Sequence, residues 1–130
     1  MTVLLDTNLC IELIRGNEAV QRRLAECSAE EVVLSAVVVA ELVYGAARSR
    51  RLIENLETTL AFVSPFECWP FDNPAAIAYG QIRVALERKG ATIGPHDLLI
   101  AATALSRGAA VATRNRREFE RIDGLVVEVW

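Results

Sequence analysis

Three carboxylates in this 130-residue chain are set apart by their surroundings. Asp6 is the only charge between Met1 and Ile11, and Glu41 the only one between Ser35 and Gly45. Asp97 is the only one between Gly90 and Ser106, with His96 counted neutral. Each interrupts an apolar run. A carboxylate without a partner in such surroundings costs several kcal/mol or shifts its pKa until it is neutral. A bound cation gives three such placements one common reason. Oxygen ligands without a Cys/His cluster suit a hard ion, Mg²⁺ or Mn²⁺, rather than zinc. Asp6, Glu41 and Asp97 are therefore read as metal-binding and catalytic acids. The chemistry such a site does best is hydrolysis of a phosphodiester by an activated water.

Each acid also has an ordinary reading. Asp6 is placed to cap the helix that follows it, and Asp97 to favour the positive end of its own helix. Glu41 resists this treatment: Val37, Val38, Tyr44 and Gly45 share its helix face, Val39 and Val43 lie opposite, and a helix apolar nearly all round is expected to be buried.

The elements that must position these acids alternate along the chain. Val3-Leu4-Leu5 reads as a strand ending at Asp6, followed by a helix over about 7–15 that stops at Gly16-Asn17. A polar helix over about 18–27 leads to the strand Val32-Val33-Leu34, and Ser35 caps the next helix. Another amphipathic helix covers about 51–62, then a short strand 66–69 closed by Pro70. Asn73-Pro74 starts a helix whose Ala78, Ile82, Ala85 and Leu86 share a face, and Gly90 stops it. Gly94-Pro95 opens the helix carrying Asp97; strand 109–112, a short helix near 115–121 and a last strand LVVEVW finish the chain. This order predicts an α/β fold with a mainly parallel central sheet, as one domain over residues 1–130. In such folds sites form beyond the carboxyl ends of the strands, where all three acids can meet.

Composition bounds the function. Hydrophobic residues make up 52% of the chain, enough for one substantial core. No signal-length or membrane-length apolar run occurs, so a soluble, cytoplasmic protein with no membrane partner is expected. Cys10, Cys27 and Cys68 are odd in number and widely spaced, and read as small buried hydrophobes. The net charge of −3 is unusual for a protein that acts on a polyanionic phosphodiester, yet arginines cluster at Arg48, Arg50 and Arg51 and at Arg114, Arg116, Arg117 and Arg121. Either cluster is equally well a solvated helix face.

Four segments, LLDTNLCIELIRG, SAVVVAELVYGAA, IGPHDLLIAATALSRGA and VATRNRREFERIDGLVVEVW, resemble in order the conserved blocks of PIN-domain VapC toxins. The resemblance implies a three-layer α/β/α PIN fold and Mg²⁺- or Mn²⁺-dependent endoribonuclease activity, with tRNA or ribosomal RNA as common targets and translation as what is inhibited. It carries the family's invariant acids onto Asp6, Glu41 and Asp97, with Asp6 and Asp97 the usual metal ligands. Thr7 and Asn8 match the DTN motif. Thr113 and Asn115 match the polar block after the fourth strand, where many PIN nucleases place a fourth acid; an amide there disfavours a second tightly bound metal, and Glu118 or Glu12 is left to assist. The resemblance further implies a VapB-like antitoxin lying across the toxin, homodimers, and toxin–antitoxin hetero-oligomers that bind an operator. An apolar groove between the early helices suits the antitoxin, although Leu13, Val43 and Leu56 singly read as core. His96 is not expected to act directly, and Trp69 and Trp130 read as packing residues.

Two other readings remain. An aspartate-nucleophile phosphatase also places an acid after the first strand, but needs a second aspartate where Asn8 stands. A non-catalytic PIN module that binds RNA or an antitoxin would keep the fold without needing all three acids.

Overall fold

The computed structural model describes residues 1–130. Five strands form one sheet in the order β3-β2-β1-β4-β5, and every neighbouring pair is parallel. They are β1 (Val3–Leu5), β2 (Val32–Ser35), β3 (Glu67–Trp69), β4 (Ala110–Thr113) and β5 (Val127–Val129). Seven helices connect or follow them: α1 (Thr7–Ile14), α2 (Glu18–Ala25), α3 (Ala36–Ala47), α4 (Leu52–Val63), α5 (Asn73–Lys89), α6 (Pro95–Ser106) and α7 (Arg116–Phe119). A 3₁₀ turn at Ala29–Glu31, not foreseen from the sequence, leads into β2.

The three central strands are buried at every position, because helices cover both faces of a parallel sheet and leave no side for water. Their continuous Val, Leu and Ala runs join Leu9, Val20, Leu98, Ile100 and Phe119 in one core. No helix is long and apolar enough to cross a membrane.

β1 lies at the middle of the sheet. From it the chain moves outward to β2 and β3 on one side, then returns to β4 and β5 on the other. The change of direction leaves a crevice between the carboxyl ends of β1 and β4, the position at which open parallel sheets bind ligands. Asp6 follows β1 directly and Thr113 ends β4, so both stand at this end of the sheet.

Local rules explain the helix starts. Ser35 Oγ accepts the Val38 N–H at 3.1 Å, as its position before α3 predicts. The cap of α5 is Asp72, whose Oδ1 accepts the Ala75 N–H at 3.1 Å, one residue before the expected Asn73-Pro74 start. Proline at the second helical position has no N–H to satisfy, and α5 ends at Gly90 in the left-handed region at φ 63°, where a side chain would be strained.

Three expectations about burial are corrected. α3 is not buried all round: Val38, Leu42 and Ala46 face the core, whereas Tyr44 is 65% exposed. The apolar residues on its outer face line a concavity rather than a core. Ala85 is exposed, since α5 packs through Ala75, Ala78, Ile82 and Leu86. Of the cysteines only Cys10 is buried; Cys27 is half-buried, and Cys68 is exposed on the edge strand β3.

Candidate active site

A cavity of about 840 Å³ opens at the crevice, and Asp6, Glu41 and Asp97 all line it. β1 delivers Asp6, α3 delivers Glu41 and the first turn of α6 delivers Asp97. Thr7, Asn8 and His96 line the same wall.

Asp6 is 2% exposed. Its Oδ1 accepts the Leu9 N–H at 2.9 Å, so the capping role is real, and its Oδ2 accepts the Thr113 hydroxyl at 2.5 Å. Burial pushes its pKa above the ordinary aspartate value; these two hydrogen bonds pull it back, and the Glu41 charge pushes it up again. Capping and metal binding are compatible here, because a carboxylate oxygen has two lone pairs and each bond occupies one.

Glu41 is half-buried rather than enclosed, with its side chain 27% exposed. Its Oε1 accepts the Thr7 hydroxyl at 2.6 Å, and its Oε2 lies 3.0 Å from His96 Nδ1. Both oxygens of Glu41 are therefore held by neighbours from α1 and α6. Thr7 gains a definite task from this geometry, and His96 touches an acid of the site through an orientation no sequence pattern reveals.

Asp97 has its pKa pushed up to about 7, first by burial, then by the neighbouring Glu118, and then by the charges of Asp6 and Glu41. Glu118 is the residue that sequence reasoning undervalued. It stands on the short α7, where Asn115 Nδ2 donates to its Oε2 at 3.1 Å. Asn115 in turn donates its backbone N–H to Thr113 Oγ1 at 2.7 Å. The polar block after β4 thus supports Asp6 through Thr113 and presents Glu118 beside Asp97. Glu118 lies three residues after Asn115, one helical turn on, which was the available signal. The other suggested helper, Glu12, instead accepts the Asn17 side-chain N–H at 2.9 Å.

The arginine clusters divide. Arg48 lines the cavity, while Arg51 pairs with Glu54 at 3.6 Å. Arg116 pairs with Glu120, and Arg121 donates to the Thr92 carbonyl at 2.8 Å. No cation pairs with Asp6, Asp97 or Glu118. The neighbouring carboxylates consequently add to the raised pKa values of Asp6 and Asp97, and a divalent cation is the group that would relieve them. No three Asp, Glu, His or Cys side chains close a cage for a metal. A hard ion held by one or two carboxylates, with waters and substrate phosphate oxygens completing its shell, would not need such a cage.

A parallel sheet carrying clustered acids at its switch point, with no nucleophilic serine or cysteine among the cavity residues, is an arrangement suited to a hydrolase of the nuclease kind. The profile of the PIN domain matches residues 3–125, and the chain belongs to the PIN-domain family, in its VapC ribonuclease branch. It is 42% identical over 127 residues to the tRNA(fMet)-specific endonuclease VapC of Salmonella typhimurium, covering 98% of this chain and 96% of that one. It is 36% identical over 132 residues to ribonuclease VapC2 of Rickettsia felis, covering 100% of this chain and 98% of the relative. The structure of VapBC2 from Rickettsia felis bound to a promoter DNA fragment superposes with a TM-score of 0.94 at 34% identity, covering 100% and 99% of the two chains. The three-layer PIN fold and the RNA-cleaving class expected from the sequence are borne out.

Proposed function

We infer that this VapC-type ribonuclease cleaves tRNA with a divalent cation, Mg²⁺ or Mn²⁺, held by Asp6 and Asp97. The observation that carries the reading is the meeting of Asp6, Glu41 and Asp97 on one cavity with no cation paired to Asp6 or Asp97. Such a cluster is poorly stable by itself and well suited to a cation. When bound, the cation would lower the pKa of a water and offset charge on the phosphodiester. Asp6 is oriented by Thr113 and Leu9, and Glu41 by Thr7 and His96. Glu41 is placed to orient a water or accept its proton, and Glu118, held by Asn115, supplies the fourth acid that the amide at 115 does not. Asn8 reaches the cavity without a side-chain partner and is free to meet the substrate.

The tRNA assignment is supported by the Salmonella typhimurium relative, named for tRNA(fMet). A VapB-like antitoxin is the matching protein partner, since the similar structures include VapBC complexes, that of Rickettsia felis bound to promoter DNA. A second concavity of about 370 Å³ between α1, α3 and α4, lined by Ile11, Ile14 and Leu42, offers apolar surface for it beside the acids. Homodimers, and hetero-oligomers with the antitoxin, complete the proposal.

The test is cleavage of purified tRNA with Mg²⁺ or Mn²⁺ and with a chelator, using the wild type, Asp6→Asn and Asp97→Asn. Cleavage should require metal and vanish in both variants while their circular dichroism stays native. Full activity in both variants would remove these acids from the site.

A further inference from the structure

The outer face of α3 carries more than its acid. Glu41, Tyr44, Gly45 and Arg48 follow one another at helical spacing, and all four line the cavity of the candidate active site. From Glu41 to Arg48 the helix axis advances about 10 Å, the length of about three stacked nucleotides at ~3.4 Å each. Tyr44 is 65% exposed, although a large ring left in water gains nothing for the fold. Its neighbour Arg48 holds its guanidinium 5.4 Å from the ring centre and makes no ion pair, although acids are plentiful. Gly45 stands inside a helix, where glycine costs about 1 kcal/mol relative to alanine, yet an added Cβ would meet nothing within 4 Å. Packing does not ask for glycine at this position. The space beside the helix is open there.

We propose that Tyr44 and Arg48 form the track that holds single-stranded RNA beside the acids. Tyr44 stacks on an unpaired base, Arg48 takes a backbone phosphate, and Gly45 leaves room for the strand between them. A net charge of −3 makes an unpaired arginine in the cavity valuable, since the acids around it repel phosphate. Aromatic faces beside a cation are the usual way an unpaired base is held without reading its sequence. This rests on the ribonuclease reading above. A protein segment lying on the same face is the competing occupant.

Binding of a fluorescent single-stranded RNA is measured by anisotropy in the Asp6→Asn background, so that the probe is not cut. Tyr44→Ala should weaken it by about five-fold to a hundred-fold, and Tyr44→Phe by less than about two-fold. Arg48→Gln should weaken it and flatten the dependence of log K on log salt by about 0.7, whereas Arg48→Lys should keep the slope. In the active enzyme, Tyr44→Ala should raise KM more than it lowers kcat. Thermal melting checks that each variant is folded. If the wild type cleaves RNA while Tyr44→Ala and Arg48→Gln bind and cleave as it does, the track is wrong and the ribonuclease stands. If those variants lose affinity for an antitoxin peptide but not for RNA, the face belongs to a protein partner and the track is again overturned. If the wild type neither binds nor cleaves RNA, the ribonuclease reading and the track fall together.

Discussion

Asn115 donates its side-chain N–H to Glu118 at 3.1 Å, so the amide standing where a fourth acid was expected holds one in place instead. Glu118 raises the Asp97 pKa, which makes it part of the charged cluster and not a bystander on α7. Glu118→Gln should lower kcat by about a hundred-fold, in the range of removing a group that acts on the reacting centre. Asn115→Ala should act through it, weakening divalent affinity by about ten-fold. Metal titration by calorimetry together with single-turnover tRNA cleavage checks both. Unchanged activity in Glu118→Gln would leave only three acids in the site.

Thr113 ends β4 with its hydroxyl on the buried Asp6 carboxylate. Thr113→Val keeps the shape and removes the donor. The variant should lose about 1–3 kcal/mol of stability, because Asp6 is left with one fewer hydrogen bond in a dry place. Urea denaturation reads the loss, and bound divalent cation should restore part of it.

The pH dependence follows from Asp97. In the folded chain its pKa is about 7, against an ordinary value of 3.8. Between these values the unfolded chain has released the proton while the native state keeps it. Stability of the metal-free protein therefore falls as pH rises from about 4 to 7, and levels off above. The urea midpoint in chelator should be lower at pH 8 than at pH 5.5, and Asp97→Asn should flatten the difference. Added Mn²⁺ should stabilise more at pH 8, where Asp97 no longer holds a proton that competes with it.

Asp72, rather than Asn73, caps α5. Asp72→Ala should cost about 1 kcal/mol in chemical denaturation, and Asn73→Ala much less. Neither should alter tRNA cleavage, since α5 carries no residue that lines the catalytic cavity.

Much of the fold was legible because its signals are local. Three-residue apolar runs before Asp6 and Ser35, Pro95 behind Gly94, and Gly90 after α5 each act within a few residues of themselves. Their order was enough for a parallel α/β sheet. The three acids were legible for a related reason: a charge inside an apolar run is unfavourable unless something compensates it, and sequence shows the run.

What the tertiary structure decided is which of these groups meet. Thr113 lies 107 residues from Asp6 and His96 lies 55 from Glu41, so no local pattern encodes their hydrogen bonds. Glu41 was expected to be buried because α3 is apolar on most sides; only the packed structure distinguishes a helix face in a core from one lining a cavity. Glu118 gained its place in the same way. By itself the sequence determined that Asp6, Glu41 and Asp97 needed a partner. Folding decided that a fourth acid joins them and that Tyr44 and Arg48 share their cavity, because distance in space, not spacing along the chain, sets the strength of charge and contact.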